Sequence, residues 1–355
     1  MTLSLFIQAD FYVEVFISEI LNYINMKNLF VLFLPLCFFF ACEKDKGIEK
    51  EMLPTNYIKG KNIVLSYDDT PLSDYSFIFE THKKLNIPGE ISIWINNLKD
   101  KSKKTDALSL LQLKEMQDWG FDMASHSYYH TGLAPGVLLK TVNIGDLKLR
   151  SHINSVFTWS AIVPYTFNIS DGKVAESISI QSVTSDEQGS FIKLRTPLRN
   201  KFPNGSLIAH SEEGLFKEII ESKAYLEQNG LKINHFTYPF GIADDRTHKF
   251  CKVGSYTSAR NATPKRSLGK VKVVYEDKIE NMYSINSLDF AYLSKEEIVD
   301  IIESPSSENV FIIFFSHSWD KNLTEDKISF LVEEGKKRGY KFTTRSDVFK
   351  NNKND

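Results

Sequence analysis

The sequence predicts an α/β protein, a distorted parallel (β/α) barrel of about seven strands with an inserted antiparallel β-rich module. Two observations lead to this expectation. Strand-like and helix-like segments alternate from Asn62 to Thr344, which is the order that a parallel barrel requires. One stretch, residues 135–209, breaks this alternation and is rich in strand patterns. It is too long for a simple connection, so we interpret it as a module inserted into the barrel.

The barrel elements are predicted from apolar runs and from helix ends. Apolar runs predict strands at 63–67, 90–95, 121–125, 235–238, 255–259, 309–315 and 340–344. Helices are predicted at 73–86, 108–119, 212–229, 294–303 and 324–338. Gly120, Gly230 and Gly339 follow three of these helices, and glycine is the residue that most often ends a helix.

The inserted module is predicted from alternating apolar residues. These side chains share one face of a strand: Phe157, Trp159, Ala161, Val163, Tyr165, Phe167 and Ile169. Ser170-Asp171-Gly172-Lys173 is a hairpin-type turn, and an alternating return strand and a third strand at 191–195 follow it. The chain leaves the barrel after His130, so we expect the module on the rim of the polar strand ends. Its aromatic face either packs on the barrel or lines a binding groove or a subunit contact.

The composition is that of an ordinary globular protein. Hydrophobic residues make up 42% and charged residues 25%, and the formal net charge is −2. No basic stripe appears in the sequence, so no nucleic-acid partner is expected. Of the three cysteines, Cys251 alone lies beyond the N-terminal region. The sequence therefore predicts an inert buried thiol there and no disulfide framework.

The N-terminal region predicts export to the cell envelope. Met26-Lys27-Asn28 precedes the apolar run 29–40 and then Ala41-Cys42, which is the pattern of a secretory signal. That run is too short for a bilayer span of about 20 residues. Cys42 predicts a lipid anchor in the membrane, while a plain signal peptide and an uncleaved anchor stay open as alternatives. The expected segments are a mistaken upstream start at 1–25, a signal at 26–42, a tether at 43–61 and a tail at 345–355.

Four polar clusters follow predicted strands. They are Asp68-Asp69, the segment 126–130 with its two histidines, and the segments 238–241 and 315–317. The carboxyl ends of the strands form the face of a barrel that carries active sites. We therefore expect the four clusters to meet in one pocket.

Two of these clusters together predict a metal site. His126 and His130 are four residues apart, so both imidazoles reach one cation if the chain turns helically. With Asp69 they make three protein ligands and leave positions open for water. Alone, Asp68-Asp69 would be a helix cap or turn, and a lone histidine would be a hydrogen-bonded interior residue. His317 is interpreted either as a general acid or base or as a buried histidine bonded to backbone.

The clusters resemble the motifs of the polysaccharide deacetylase (carbohydrate esterase) family. The first motif, an aromatic followed by two Asp, is similar to Tyr67-Asp68-Asp69, and the second is present intact as His126-Ser127-Tyr128-Tyr129-His130. The third motif ends in Pro239-Phe240-Gly241, and the last places His317 two residues after an apolar one. Asp289-Phe290 is the nearest match to the family's Asp-aromatic motif. The order of the motifs agrees with the family, apart from the insert.

The resemblance implies a metal-dependent deacetylase that acts on an acetylated polysaccharide and removes acetyl groups, in particular N-acetyl groups. Zinc, or another divalent ion, would bind to Asp69, His126 and His130. Asp68 would be the base for a metal-activated water, and His317 would protonate the leaving amine or alkoxide. The substrate and oxyanion residues would be Tyr238, Phe240 and Gly241.

Two positions depart from the family's pattern. Thr70 stands where glycine commonly follows the second Asp, and Thr237 stands where the third motif commonly opens with an arginine that pairs with the base. The missing arginine favours an alternative, a non-catalytic glycan-binding module on the same scaffold. A non-haem iron oxygenase is a second alternative, because two histidines and a carboxylate also suit iron.

Overall fold

A computed structural model describes residues 56–99, 107–152, 163–186 and 189–350 of the chain. Its centre is a closed barrel of parallel strands, numbered β1 to β7 in chain order. These strands are Lys61–Asp68, Glu90–Ile93, Asp122–Ser125, Ile233–Thr237, Ser258–Thr263, Ile285–Asp289 and Val310–Ser316. Each strand pairs with the next, and β7 pairs with β1 along its whole length, which closes the ring. The predicted barrel is confirmed.

The apolar run of β1 is explained by burial on both of its faces. Ile63 and Leu65 pack in one buried cluster with the surrounding helices, while Val64 between them packs in a second cluster with Phe311 and Ile313 of β7. A strand that is covered on both sides has no polar face to alternate with, so its sequence is continuously apolar. The same reason explains why β7 is the most apolar strand.

Helices and short strands complete the barrel. The helices are Asp74–Phe79 continued by Glu80–Leu85, Ile95–Lys99, Leu110–Trp119, Glu212–Leu215 continued by Phe216–Glu221 and Ser222–Gln228, Asp245–Val253, Lys295–Glu303, Glu325–Lys337 and Arg345–Lys350. Short 3-10 turns lie at Pro239–Gly241 and Lys265–Ser267, and short strands at Asn56–Tyr57, Val274–Glu276, Lys278–Ile279 and Lys341–Phe342. The side chains of Ser109, Asp244 and Ser294 cap three of the helices.

Some elements differ from the expectation. Strand β6 was not predicted, because polar Asn286 and Ser287 interrupt its apolar pattern; the Ser287 hydroxyl accepts a hydrogen bond from buried Arg260. The end of the expected tether at 43–61 belongs to the fold, since Asn56–Tyr57 pairs with Lys278–Ile279. The expected tail at 345–355 begins with a helix whose first residue, Arg345, is buried.

The insert between β3 and β4 forms two antiparallel sheets. The strands of one sheet, in spatial order, are Gly136–Val137, Leu207–His210, Phe167–Ser170 and Ala175–Ile178, and those of the other are Lys148–Ser151, Gly189–Leu194 and Ile180–Asp186. Apolar side chains between the strands, such as Ile169 and Ile208, make a core separate from that of the barrel. The predicted antiparallel β-module is thus confirmed, although Phe157, Trp159 and Ala161 lie outside the described residues.

The N-terminal predictions are not addressed by the structure. The upstream start, the signal and Cys42 all lie outside the described residues, as does most of the expected tether. In the part of the chain that is described, every helix is too short or too polar to cross a bilayer.

Candidate metal site

The side chains of Asp69, His126 and His130 meet at the carboxyl ends of β1 and β3. The Nε2 atoms of the two histidines are 3.0 Å apart. Asp69 Oδ1 lies 3.0 Å from Nε2 of His130 and 3.4 Å from Nε2 of His126. Among the described residues this is the one group of three or more ligating side chains close enough to share an ion. The structure therefore brings the three predicted ligands together.

These separations fit a divalent ion. Ligand atoms at 2.0–2.1 Å from a tetrahedral zinc ion are about 3.3 Å apart, which matches the observed spacing of the three atoms. Asp69 Oδ1 is buried, and no described residue offers it a hydrogen bond of good geometry. Two histidines and a carboxylate form a donor set that zinc, cobalt and iron accept. Both the spacing and the chemistry of these residues thus suit a bound metal.

The histidine rings are held in position by neighbouring groups. His126 Nδ1–H donates to the carbonyl oxygen of Thr237 on β4 at 2.9 Å, which leaves Nε2 as the ligand atom. The His130 ring lies between Trp94 and Phe240, with ring centroids 4.9 and 4.7 Å away. The tautomer of His126 and the orientation of both rings are therefore set by the fold.

The loops at this end of the barrel adopt backbone conformations that residues other than glycine rarely use. Positive φ angles occur at Asp69 (78°), Thr70 (56°), Ser127 (65°), His130 (60°) and Phe240 (58°). Three of the loops that follow barrel strands contribute to this set. Such conformations cost free energy and persist where the surroundings hold them, which is common at functional sites.

Asp68 forms a buried ion pair with Arg260, a residue that sequence reasoning missed. Arg260 Nη2 donates to Asp68 Oδ1, and both side chains are almost wholly buried. Burial acts to raise the pKa of Asp68, but the Arg260 guanidinium, with His126 and His317, outweighs burial and holds that pKa below its ordinary value. Asp68 is therefore a carboxylate that stays ionised next to the candidate metal site.

Arg260 supplies the cation for Asp68 that the family's pattern would place at position 237, where this chain has threonine. Thr237 on β4 and Arg260 on β5 are direct partners in the parallel ladder. The arginine is thus displaced by one strand, and its long side chain still reaches Asp68. The departure at Thr237 consequently does not leave the carboxylate without a cation.

Arg260 belongs to a chain of charges inside the barrel. Its Nε lies 3.7 Å from Glu90 Oε1, and Arg345 Nη2 donates to the same Glu90 oxygen at 2.8 Å. Ser66 on β1 hydrogen-bonds to both Glu90 and Arg260. Two carboxylates and two guanidiniums therefore alternate through the interior, and each buried charge has a partner of opposite sign.

His317 borders the same site. Its Nε2 is 3.6 Å from Asp69 Oδ2, and the ring of Trp319 lies against it with centroids 4.6 Å apart. Asp289 lines the same cavity, and burial raises the pKa of its carboxyl to about 6. Trp319 itself is exposed at the rim, with 59% of its surface accessible.

The third polar cluster is split by the fold. Phe240 and Gly241 line the cavity, but the Tyr238 side chain points into the core, where its hydroxyl donates to the carbonyl of Tyr283 at 3.0 Å. The expectation that the Tyr238 side chain contacts substrate is corrected accordingly. The alternation of β4 continues through Tyr238 and turns its ring toward the surrounding helices.

Asp68, Asp69, His126, His130 and His317 all line one cavity of about 1380 Å³. Within the described part of the insert, no residue lines this cavity, so the groove-lining interpretation of its aromatic face finds no support there. Two aromatic residues that precede the hairpin turn, Tyr165 and Phe167, are buried instead.

Comparisons with known proteins give matches among solved structures alone. No family model matches the chain, and no curated protein matches it. The similar structures include a T48 deacetylase with substrate, 12% identical over 82% of this chain and 92% of that chain, with a TM-score of 0.43. They also include a CE4 family pseudoenzyme from Bacillus anthracis (10% identity, 83% and 67% coverage, TM-score 0.43). A family 4 acetyl xylan esterase from Clostridium thermocellum, in complex with a cobalt ion, is 11% identical over 82% and 91% with a TM-score of 0.41.

Proposed function

We propose that this protein is a metal-dependent hydrolase that removes acetyl groups, in particular N-acetyl groups, from a polysaccharide. One observation carries the proposal: ligand atoms of Asp69, His126 and His130 lie 3.0–3.4 Å apart in a cavity that also holds Asp68 and His317. A site with three protein ligands keeps positions open for water and substrate. The carboxylate and the imidazole beside it supply a base and an acid.

The roles of the protein groups follow from their positions. A divalent ion held by the three ligands would lower the pKa of a water molecule and polarise an acetyl carbonyl. Asp68, kept ionised by Arg260, accepts a proton from the attacking water. His317 delivers a proton to the leaving nitrogen or oxygen on the other side of the site. Phe240 lies in the turn that lines the cavity, and its backbone N–H would support the oxyanion.

The alternatives are weaker on this geometry. A non-catalytic glycan-binding module was favoured by the arginine missing at Thr237, but Arg260 supplies a cation to Asp68 from the next strand. An iron oxygenase would have no evident use for a second carboxylate held ionised beside the ligands. Export and lipid attachment at Cys42 stay predictions from the sequence.

The test is acetate release by the purified protein. Acetylated chitin oligomers, peptidoglycan and acetylated xylan are each incubated with the native protein, with the protein after chelation, and after zinc is added back. We expect turnover on at least one substrate, its loss on chelation and its recovery with zinc. Acetate release that is indifferent to chelator would contradict the proposal, and bound metal without any turnover would support the binding-module alternative.

Variants separate the roles of the residues. Asp69→Ala should lose the metal, whereas Asp68→Asn should keep the metal and lose turnover because the base is not a main ligand. His317→Ala should keep the metal and reduce turnover by roughly 10²–10⁴-fold, the usual loss for a missing general acid. His152→Ala, on the exposed surface of the insert, is the matched control and should match the native rate. Native turnover by Asp68→Asn would reject its role as base.

A further inference from the structure

Glu218 connects the loop that carries both histidine ligands to the inserted β-module. It lies on the helical segment Phe216–Glu221 and is fully buried. One carboxylate oxygen, Oε2, accepts hydrogen bonds from the backbone N–H groups of Tyr128 and Tyr129, at 2.9 and 2.8 Å. Both residues stand between His126 and His130. A single buried carboxylate thus holds the middle of the metal-binding loop.

The other oxygen of Glu218 binds residues on both sides of the junction between barrel and insert. Oε1 accepts from the Thr131 hydroxyl at 3.0 Å, directly after His130, and from the hydroxyl of Tyr165 in the insert. Glu218 therefore accepts four hydrogen bonds, two from backbone and two from hydroxyls. Both carboxylate oxygens therefore act as acceptors, with two hydrogen bonds to each.

The insert is fitted tightly around this carboxylate. The Tyr165 ring packs on His210, with centroids 5.6 Å apart, and His210 Nε2 donates to the Thr131 hydroxyl at 2.9 Å. A Cβ on Gly214 would lie 2.8 Å from the Tyr165 ring, so the helix that carries Glu218 also packs closely on it. The side chains of Tyr165 and His210 are thus fixed at the edge of the metal-binding loop.

The loop needs such support because its backbone is strained. Ser127 and His130 both have positive φ, and the His130 N–H donates to the Ser127 hydroxyl at 2.9 Å within the loop. A strained conformation persists where the surrounding contacts over-determine it. The hydrogen bonds of Glu218 reach the two residues between Ser127 and His130, which is where that support is required.

We propose that Glu218 and Tyr165 are positioning residues for the histidine ligands, so that the inserted module is a working part of the metal site. This inference rests on the proposed function in one respect, that a metal binds at Asp69, His126 and His130. It also changes the expectation for the insert. Replacing residues 136–208 by a short linker removes Tyr165 and should therefore weaken metal binding itself.

The experiment measures zinc affinity of the metal-free full-length protein by competition with a chromophoric chelator. We expect Glu218→Gln to weaken zinc binding by about 10–100-fold, the range typical for groups that orient metal ligands. Tyr165→Phe removes one donor to the same carboxylate and should weaken it by about 10-fold at most. The visible spectrum after cobalt substitution gives a second readout, because its intensity reports the geometry of the ligands.

Two matched variants separate positioning from general stability. Tyr340→Phe removes a buried hydroxyl that donates to Ile302, far from the site, and Glu221→Gln changes a half-exposed carboxylate one turn from Glu218. Both should keep native zinc affinity, even where the melting temperature falls. Native affinity in Glu218→Gln and Tyr165→Phe would overturn the inference. A native protein that binds no zinc or cobalt would overturn the proposed metal site together with it.

Discussion

At the scale of single residues, the most informative feature is the displacement of an arginine by one strand. Thr237 and Arg260 are neighbours in the ladder of β4 and β5, so a long side chain from β5 reaches the carboxylate that a side chain from β4 would reach. Arg260 also binds Ser66 and Ser92, at 2.8 and 3.2 Å, which fixes its guanidinium beneath Asp68. The ion pair keeps Asp68 ionised despite its burial.

Arg260 should therefore control turnover more than metal binding. Arg260→Gln removes the cation beside Asp68, and we expect acetate release to fall by roughly 10²-fold or more, as for loss of a general base. Arg260→Lys keeps the charge and should recover part of the rate. Zinc content, measured on the same preparations, should stay at the native level.

The control for this prediction is Arg199→Gln. Arg199 also pairs with a buried carboxylate, Glu176, but in the insert, and 76% of its side chain is exposed. It should keep native turnover. Native rates in Arg260→Gln would show that Asp68 does not need this partner.

At the scale of elements, the turn after β4 shows how closely the loops are packed around the site. Gly241 has a φ of 66°, and a Cβ there would lie 2.3 Å from the carbonyl oxygen of Ala262 near the end of β5. Neither the conformation nor the space permits a side chain. The close approach brings Phe240, one residue earlier, into the wall of the cavity between the ligand His130 and the strand ends.

A pair of glycine substitutions separates conformation from close approach. Gly205→Ala, at a φ of 89° with open space around it, should cost about 1–2 kcal/mol of unfolding free energy for the left-handed conformation alone. Gly241→Ala should cost more, because the backbone of Ala262 must also move, and it should reduce turnover. Urea unfolding of both variants, with acetate release, provides the check. Equal losses of unfolding free energy in the two variants would show that the backbone of Ala262 moves aside without a cost in stability.

At the scale of the whole molecule, buried charges connect the C-terminal helix to the candidate site. Arg345 begins the helix Arg345–Lys350 and pairs with Glu90 on β2, which in turn faces Arg260 beneath Asp68. The helix Arg345–Lys350 therefore supplies a cation that balances the charge of Glu90 inside the barrel. Removal of one partner from such a set leaves an unpaired buried charge.

Arg345→Met should accordingly destabilise the whole barrel. The expected loss is about 3–5 kcal/mol of unfolding free energy, the usual cost of breaking a buried ion pair from one side. Urea unfolding at pH 7 measures it. Lys350→Met on the same helix, an exposed residue that pairs with Asp347, should change stability by less than about 1 kcal/mol.

A double substitution makes the prediction sharper. Adding Glu90→Gln to Arg345→Met removes the charge that the single variant leaves alone, so part of the lost stability should return. A single variant as stable as the native protein would mean that Glu90 does not depend on this arginine.

The sequence by itself determined the features that are local in the chain. The apolar runs of β1 and β7, the caps of the helices, the hairpin at 170–173 and the order of polar clusters at strand ends all depend on neighbouring residues. The spacing of His126 and His130 is local too, and parallel strands bring their carboxyl ends to one face, which adds Asp69. These were enough to predict the barrel and the residues that converge in the site.

Only the tertiary structure decided which distant residues support that site. Arg260 and Asp68 are 192 residues apart in the sequence, and Glu90 and Arg345 are 255 residues apart. No local sequence pattern therefore predicts either ion pair. Glu218 is one of many charged residues of its helix. Only the packing of the helix shows that Glu218 is the one that faces the metal-binding loop. The polar residues of β6 likewise make sense only inside a barrel that holds a buried guanidinium. These contacts follow from the pairing of strands that are far apart in the chain, and no local sequence pattern predicts that pairing.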